Sequence, residues 1–571
     1  MIDFKKEIAK MIKEQVDMSI EELMSYIEVP KDQTMGDFAF PCFRLAKELK
    51  KAPPIIANDI KENINIDINV IEKLEVAGGY LNFYTNKTTL VKGVLEKIDS
   101  KGDKYGFSNI GEGKTVLIEY SSPNIAKPMH MGHLRNTILG GALYKIFKSV
   151  GYNVVGANFI GDWGINFAKM MAGYFMWKED KQYDFENDAL NSIVNIYVRF
   201  NKEEKENPEY MEMARSWHLK LEAGDKEAVE LWEWIKDISL KEAEKIYKLL
   251  DCEFDNYNGE ACYAYKINEI IEELKEKKLL VESQGAQVVD LSKYDMPPSI
   301  IMTSSGTSLY ATRDLACLED RMNSYDFDQA LYIVGSEQQL YFNQLFKVFE
   351  LMGYEKYAKK CKHIFYGLIL DSSGKKMGTR QGNSLTLTEL LNEGITKSRN
   401  IIEEKQINID NKDELVKQIG IGAIIFNTLF NTKIKDITFD WDNILNFAGE
   451  TGPYIQYTFV RINSILNKVD QEIRIEDVKF ELYKEKETIK LIKLLDEFED
   501  MIISAAEKYE PSIVSRYLID LSQSFSSFYN ECQIISEDID LRNARIYLTS
   551  IVGQILKRGA NLLGIKMPEK M

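Results

Sequence analysis

Histidine is scarce in this 571-residue chain, which has four. Cysteine is little commoner. Its six residues (Cys42, Cys252, Cys262, Cys317, Cys361 and Cys532) form no CxxC pair, and none lies near a histidine at zinc-ligand spacing. That argues against a structural zinc site and fits a reduced, cytoplasmic compartment. No run of about 18 apolar residues occurs, so no membrane-spanning helix is expected. The first stretch, MIDFKKEIAKMIKEQ, mixes charge and apolar groups like a surface helix and lacks the apolar core of a secretion signal. Basic charge is in deficit, with 72 Lys and Arg against 89 Asp and Glu and a net charge of −17. That balance argues against indiscriminate binding to DNA or RNA. A local exception is the stretch from 541 to 571, where Arg542, Arg545, Lys557, Arg558, Lys566 and Lys570 face a single acid, Glu569. By charge alone this is a solvated helix face.

What is present organises into three parts. The length suits three or four domains of about 100–200 residues. Residues 1–110 read as a small α+β unit, with amphipathic helices at DFAFPCFRLAKELKK and LVKGVLEKI around a strand pair in INVIEKLEVAGGYLNFYTN. The segment SKGDKYGFSNIGEGK reads as a boundary. KTVLIEYS then begins a strand–loop–helix–strand unit, with MGHLRNTILGGALYKIFKSVG as the helix and YNVVGANFIG as the second strand. This is the element of a parallel doubly wound sheet. Strand-like runs return at PSIIMTS, QALYIVGS and KHIFYGLIL. An α/β domain of Rossmann-like type is therefore expected over 111–404, with a charged helical insertion at about 180–280. From 405 to 571 the apolar residues recur at helical spacing, which predicts an all-α bundle.

Two of the four histidines sit in SSPNIAKPMHMGHLRNT. His130 and His133 are three apart, so they share a face in the first turn of the helix that follows the first parallel strand. The carboxyl end of such a strand is where ligands bind, and a helix N-terminus suits a phosphate. Gly132 removes a side chain where a ring or phosphate could approach. Two imidazoles and Lys127 around a phosphate would stabilise charge in a displacement. A metal half-site completed by a distant carboxylate, or two incidental polar residues at a helix start, are the alternatives. A second segment, LDSSGKKMGTRQGNSLTLTELL, follows the last strand-like run. It carries Gly374, Gly378 and Gly382 with Lys375, Lys376 and Arg380, and a loop of this kind can close over a triphosphate.

HxGH together with a Lys-Met loop on the same sheet resembles the class I aminoacyl-tRNA synthetases. SSPNIAKPMHMGHLRNT, NFIGDWGINFA, SLYATRDLA, GSEQQLYFNQLF, TGPYIQYTFVRINSIL and the ending ANLLGIKMPEKM resemble segments of the arginyl-tRNA synthetases, and the similarity spans essentially the whole chain. The resemblance implies activation of L-arginine by Mg–ATP to arginyl-adenylate, then transfer to the terminal adenosine of tRNA(Arg), with AMP and pyrophosphate released. It implies ATP with Mg2+ as a substrate complex, no zinc and no tightly bound organic cofactor. Its partners would be tRNA(Arg), L-arginine and ATP, with no membrane and no DNA, and the chain would be a cytoplasmic monomer. Other classes compatible with HxGH are a tRNA-independent nucleotidylyltransferase and a catalytically dead tRNA-binding paralogue.

Carried over by motif, His130, His133, Lys127 and Lys376 would be catalytic. ATP would meet His130, Gly132, His133, Lys375, Lys376 and Met377. The loop departs from the family consensus KMSKS, because Thr379 stands where a second lysine belongs. Lys127 occupies the place thought to supply the missing cation. The planar guanidinium of arginine calls for carboxylates in a fork geometry. Glu119 and Asp314 match family positions for that role, with Tyr310 beside Asp314, and Asn124 and Gln338 at the α-amino end. A salt bridge of Asp314 with Arg313 or Arg321 is the alternative there. Tyr80 and Asn82 would stack on and bond an unpaired base at the tRNA elbow, unless they merely share one face of a sheet. Tyr454, Tyr457, Tyr529 and Met571 match anticodon-contacting positions, with core packing as the alternative for each tyrosine. The basic excess after 541 would then contact phosphates.

Overall fold

A computed structural model describes residues 3–30, 32, 35–125, 127–303, 310–377, 379–380, 383–404, 411–469 and 471–571. The side chains of Thr379, Arg380, Asn383 and Ser384 lie outside that description. The chain folds into two compact units. One comprises 1–105, 461–499 and 520–556; the other comprises 106–460, 500–519 and 557–571.

The first unit holds a three-stranded antiparallel sheet. Its central strand is Tyr80–Thr85, flanked by Phe38–Pro41 and Ile71–Ala77. The strand pair matches expectation, but Phe38–Pro41 does not. DFAFPCFRLAKELKK begins as a strand and turns helical only at Cys42–Leu45 and Ala46–Leu49. The reason is Pro41: it fixes φ and leaves the α region unfavourable for the residue before it. Helix Lys87–Lys101 follows, capped by Asn86, whose side chain accepts from the Thr89 N–H at 3.1 Å. This helix is pinned to the chain around 490. Lys97 pairs with Asp496 at 2.9 Å and Glu499 at 3.3 Å, and the buried Tyr105 hydroxyl donates to Leu495 O at 2.7 Å. Lys493 bonds Asp37, whose other oxygen takes the Thr85 N–H at 2.8 Å.

The second unit is built on a four-stranded, wholly parallel sheet in the order Cys361–Tyr366, Gln329–Gly335, Thr115–Glu119, Asn153–Ala157. The first strand in sequence is central, and the chain leaves it in both directions, so the switch point lies between Thr115–Glu119 and Gln329–Gly335. At that point Glu119 stands opposite Tyr332 and Ala157. Leu117, Ala330, Tyr332, Leu315 and Leu318 bury the sheet against helix Tyr310–Tyr325. The PSIIMTS strand belongs elsewhere. Ser299–Met302 joins Leu280–Ser283 and Ala286–Val289 in a separate antiparallel sheet. The insertion is helical, with Ala189–Glu203, Glu209–Glu222 and Lys226–Leu249 packed on Ile165–Trp177. Beyond 405 the helices predominate, yet Ile437–Thr438 pairs in parallel with Ile369–Leu370. That two-residue strand escapes periodicity because it makes too few residues to show a period. Among the described residues, no helix is long and apolar enough to cross a membrane.

Candidate active site

His130 is the N-cap of helix Met131–Ser149, and His133 is its third residue. The Gly132 N–H donates to His130 Nδ1 at 3.0 Å, and the His130 N–H donates to His133 Nδ1 at 3.1 Å. The two rings lie 4.1 Å apart. Histidine thus replaces the usual Ser or Thr and Glu of a capping box. An imidazole that accepts at Nδ1 and is neutral carries its proton on Nε2, where it is a donor. Both are held neutral. Burial, with Lys376 and Lys127 nearby, lowers His130 below the ordinary imidazole range. Burial and the neighbouring His130 bring His133 down to about 4. The pair therefore offers two directional N–H donors at a helix N-terminus. A metal half-site fits poorly, because Nδ1 is spent and Nε2 is protonated. Among the described residues no group of three His, Cys, Asp or Glu is placed to hold a metal. A Cβ at Gly132 would meet the His130 imidazole at 2.8 Å, so glycine makes room for the cap.

The second motif reaches the first through the backbone. Thr386 bridges His130, and the Leu387 N–H donates to Met129 O at 2.7 Å. Thr386 also caps helix Leu387–Glu404 reciprocally with Glu389. Upstream, Asp371 folds the Lys375–Lys376 turn by accepting the Ser373 and Lys375 N–H groups at 2.9 and 3.0 Å. Lys376 bridges Leu370, and the Met377 N–H donates to Ile369 O at 2.8 Å. Thr379–Arg380 pairs with Asn383–Ser384. Gly378, Gln381 and Gly382 lie outside the described residues.

Some of the expected site residues line three cavities, whereas His130, Gly132, His133 and Lys375 line none of these three. One, of about 360 Å3, is lined by Glu119, Tyr310, Asp314 and Gln338 together with Glu260, Arg321 and Tyr341. A second, of about 570 Å3, is lined by Asn124, Lys127, the insertion helix around 238–246, and Thr386–Glu389. Lys376 and Met377 border a third, of about 360 Å3, with Asp440 and Trp441. Asn124 is therefore not on the cavity of Gln338. Its backbone pairs with Gly161 instead. The Lys127 Nζ sits over the Tyr197 ring at 5.3 Å.

The carboxylate cavity is electrostatically divided. Glu119 is buried and takes the Arg321 guanidinium at 2.6 Å. Arg313 pairs with Glu260 at 3.2 Å and lies over the Tyr310 ring. Asp314 bonds neither arginine in the described structure; it accepts the Tyr341 hydroxyl. Burial, aided by Glu119 and Glu260, raises Asp314 to about 7. Burial raises Glu260 as well. Sequence reasoning missed Glu260, Arg321 as the partner of Glu119, and Tyr341. Only Tyr341 left a signal, since it lies three residues from Gln338 and so shares its helical face.

Of the remaining candidates, Tyr80 makes an edge contact with Phe43 at 4.9 Å, and Asn82 is 2% exposed. Tyr457 and Tyr529 are each 41% exposed, which sets them outside the core. Tyr454 and Met571 are half-buried. Arg461 lies over the Tyr529 ring at 5.2 Å. Two cations of the basic ending are taken by acids: Arg545 by Glu485 and Lys566 by Asp251.

Comparison with known proteins meets this geometry from outside. Three family profiles match: "Arginyl tRNA synthetase N terminal domain" over residues 3–85, "tRNA synthetases class I (R), catalytic domain" over 95–441, and "DALR anticodon binding domain" over 455–571. The arginine–tRNA ligase of Alkaliphilus metalliredigens is 44% identical over 572 residues, and that of Clostridium perfringens 45% over 571, each covering 100% of both chains. The solved arginyl-tRNA synthetase of Thermus thermophilus superposes with a TM-score of 0.79 at 25% identity, covering 99% of each chain. With the histidine-capped helix and the carboxylate cavity on one parallel sheet, and with full-length relatives at this identity, the chain belongs to the arginine–tRNA ligases, a family of class I aminoacyl-tRNA synthetases.

Proposed function

We propose that the three cavities divide one reaction, the ATP-dependent activation of L-arginine and its transfer to tRNA(Arg). The carboxylate cavity takes the arginine side chain, with Asp314 and Glu119 facing the guanidinium and Tyr310 beside them. Gln338 lies at the α-amino end. Asn124 reaches that end from the neighbouring cavity. His130, Gly132 and His133 meet the phosphates of Mg–ATP at the helix N-terminus. Lys375, Lys376 and Met377 meet them from the loop, and Lys127 supplies a cation from the other side.

The chemistry needs no covalent enzyme intermediate. The arginine carboxylate attacks the α-phosphate and pyrophosphate leaves. Charge grows on the phosphate oxygens as the bond order shifts. Two neutral Nε2–H donors in fixed positions stabilise that charge without reorganising, while the lysines neutralise it at longer range. In the second step the terminal adenosine of the tRNA takes the arginyl group and AMP leaves.

The single observation that carries this reading is the path of one segment. Glu119 ends the central strand inside the carboxylate cavity, and the chain reaches His130 eleven residues later, having lined the second cavity with Asn124 and Lys127. One short stretch therefore serves both substrates. We assign residues 1–110 to the tRNA elbow through Tyr80 and Asn82, 111–404 to catalysis, and 405–571 to the anticodon through Tyr454, Tyr457, Tyr529 and Met571. Asn82 is buried, so its base contact requires the structure around it to open. We further assign the chain to the cytoplasm as a monomer, with no membrane or DNA partner. Arginine-dependent exchange of pyrophosphate into ATP, run with and without tRNA, tests the reading. Exchange that does not depend on arginine would overturn it.

A further inference from the structure

Directly after Glu119 and Tyr120 the backbone enters a region that L-residues avoid. Ser121 and Ser122 have φ of 69° and 48°. Two successive non-glycine residues in the left-handed region are uncommon and strained. The Ser122 N–H donates to Tyr120 O at 3.0 Å across Ser121, which closes a γ-turn, the strained form of a three-residue turn. Such a conformation persists only where its surroundings over-determine it.

Here the surroundings are a buried polar network. Asn136 Oδ1 accepts the Ser121 N–H at 2.7 Å, and Asn158 Oδ1 accepts the Ser122 N–H at 3.1 Å. Thr137 Oγ1 donates to Ser121 Oγ at 3.0 Å. The Tyr247 hydroxyl closes the network: it shares a hydrogen bond of 2.8 Å with Ser121 Oγ and accepts from Asn158 Nδ2 at 3.0 Å. Ser121, Thr137, Asn158 and Tyr247 are all buried. Asn136 and Thr137 stand on the histidine-capped helix, and Asn158 follows the second parallel strand. Tyr247 alone comes from the insertion, near the end of helix Lys226–Leu249. The turn it grips leads at once to Pro123, whose carbonyl accepts the Gly161 N–H at 3.0 Å, and on to Asn124 and Lys127.

We propose that Tyr247 is a positioning residue for adenylate formation. From the insertion it holds the Ser121–Ser122 turn in its strained form, and so sets the Asn124–His130 segment against the helix N-terminus. The proposal rests on the assignment of that segment to activation made above. Without the hydroxyl, the turn relaxes toward φ below zero, and the segment carrying Asn124 and Lys127 moves with it. Tyr247 also packs against Phe254, so its ring has a structural role that phenylalanine retains.

The test uses the full-length enzyme as Tyr247→Phe, Ser122→Gly and the double variant. Glycine adopts φ near 48° freely, so Ser122→Gly removes the strain at one of the two residues the hydroxyl holds. The expected result is a loss of about ten- to a hundredfold in kcat for arginine-dependent pyrophosphate exchange in Tyr247→Phe. The melting temperature should stay near that of the wild type, and most of the lost rate should return in the double variant. Hydrogen exchange over residues 117–129 gives a readout independent of activity: the Ser121 and Ser122 amides should open faster in Tyr247→Phe. Wild-type rate in Tyr247→Phe overturns the proposal. So does a double variant no faster than Tyr247→Phe, because that is what loss of packing alone would produce. If the wild type itself shows no arginine-dependent exchange, the functional reading fails instead, and amide exchange still decides whether Tyr247 holds the turn.

Discussion

Lowering the pH from 8 to 6 should weaken the hold on arginine without weakening the hold on ATP. The cause is Asp314. Its carboxyl is raised to about 7, first by burial and then by Glu119 and Glu260 on the same cavity, against the opposing hydrogen bond from Tyr341. A guanidinium that docks there favours the carboxylate, so binding near neutrality expels a proton. The sign follows directly. Below pH 7 the acid must first lose its proton, so the KM for arginine rises as pH falls. Above pH 8 it is flat. For a single group at about 7, the apparent KM is about twice its plateau at pH 7 and about elevenfold above it at pH 6. Asp314→Asn removes the titrating group, so it should flatten this slope as well as weaken arginine far more than ATP. It should also narrow the preference for arginine over citrulline, because fewer carboxylates are left uncompensated by the neutral ligand. The assay is pyrophosphate exchange at saturating ATP from pH 6 to 8.5 at constant ionic strength. Calorimetry of arginine binding in buffers of different ionisation enthalpy counts the released proton. A wild-type KM for arginine that is flat across this range refutes the reasoning. A slope that survives in Asp314→Asn also refutes it and transfers the titration to Glu260, which burial likewise raises.

His133→Ala should cut single-turnover adenylate formation by about two to three orders of magnitude, as removal of one preorganised donor does elsewhere, and leave tRNA affinity nearly unchanged; near-full activation in a rapid-quench experiment would remove His133 from the site. Lys127→Ala should lose activation and Thr379→Lys in that background should recover part of it, measured by the same exchange assay; an active Lys127→Ala enzyme would show that the cation is supplied elsewhere. His133, depressed to about 4, contributes stability that is whole above the ordinary imidazole value and drains away as pH falls toward 4. The urea midpoint should therefore drop further between pH 7 and pH 5 in wild type than in His133→Gln, and equal drops would contradict the burial of the neutral ring.

Much of the site was legible because its signals are local. HxGH declares both a helix start and a spacing, and the structure places the two rings against each other at that start. The Lys375–Lys376 turn was legible from its glycine and lysine content, but its bridge to Leu370 was not. The carboxylate cavity was only half visible. Glu119 and Asp314 share it, yet the partner of Glu119 is Arg321, 202 residues away, and nothing in the sequence near either residue marks the pair. Glu260 arrives from a short turn late in the insertion, with no periodicity to betray it. The same limit explains Phe38–Pro41 and Ser299–Met302. A four-residue strand carries two turns of pleat, too little to outweigh neighbouring propensity, so tertiary pairing decides.

The division of labour between histidine and lysine explains why so few histidines suffice. A lysine ammonium is a mobile point charge on a long stem. It can follow phosphate charge but cannot fix geometry. An imidazole locked through Nδ1 cannot follow charge but presents one N–H in one direction. At His130 the two kinds meet: Lys376 from the loop and Lys127 from the preceding turn both lie close enough to depress it. Burial first, and their field beside it, keep the ring neutral, and a neutral ring keeps Nδ1 free to accept the Gly132 N–H that caps the helix. Protonating His130 would put a donor where the cap needs an acceptor, and the helix start would lose its lock. On the proposed assignment the lysines would do two things with one charge: they would draw the phosphates in, and together with burial they hold the histidine in the state that keeps its donor aimed. This places the missing loop lysine in physical terms. Thr379 brings no cation to the loop, and Lys127 already lies close enough to His130 to act on it.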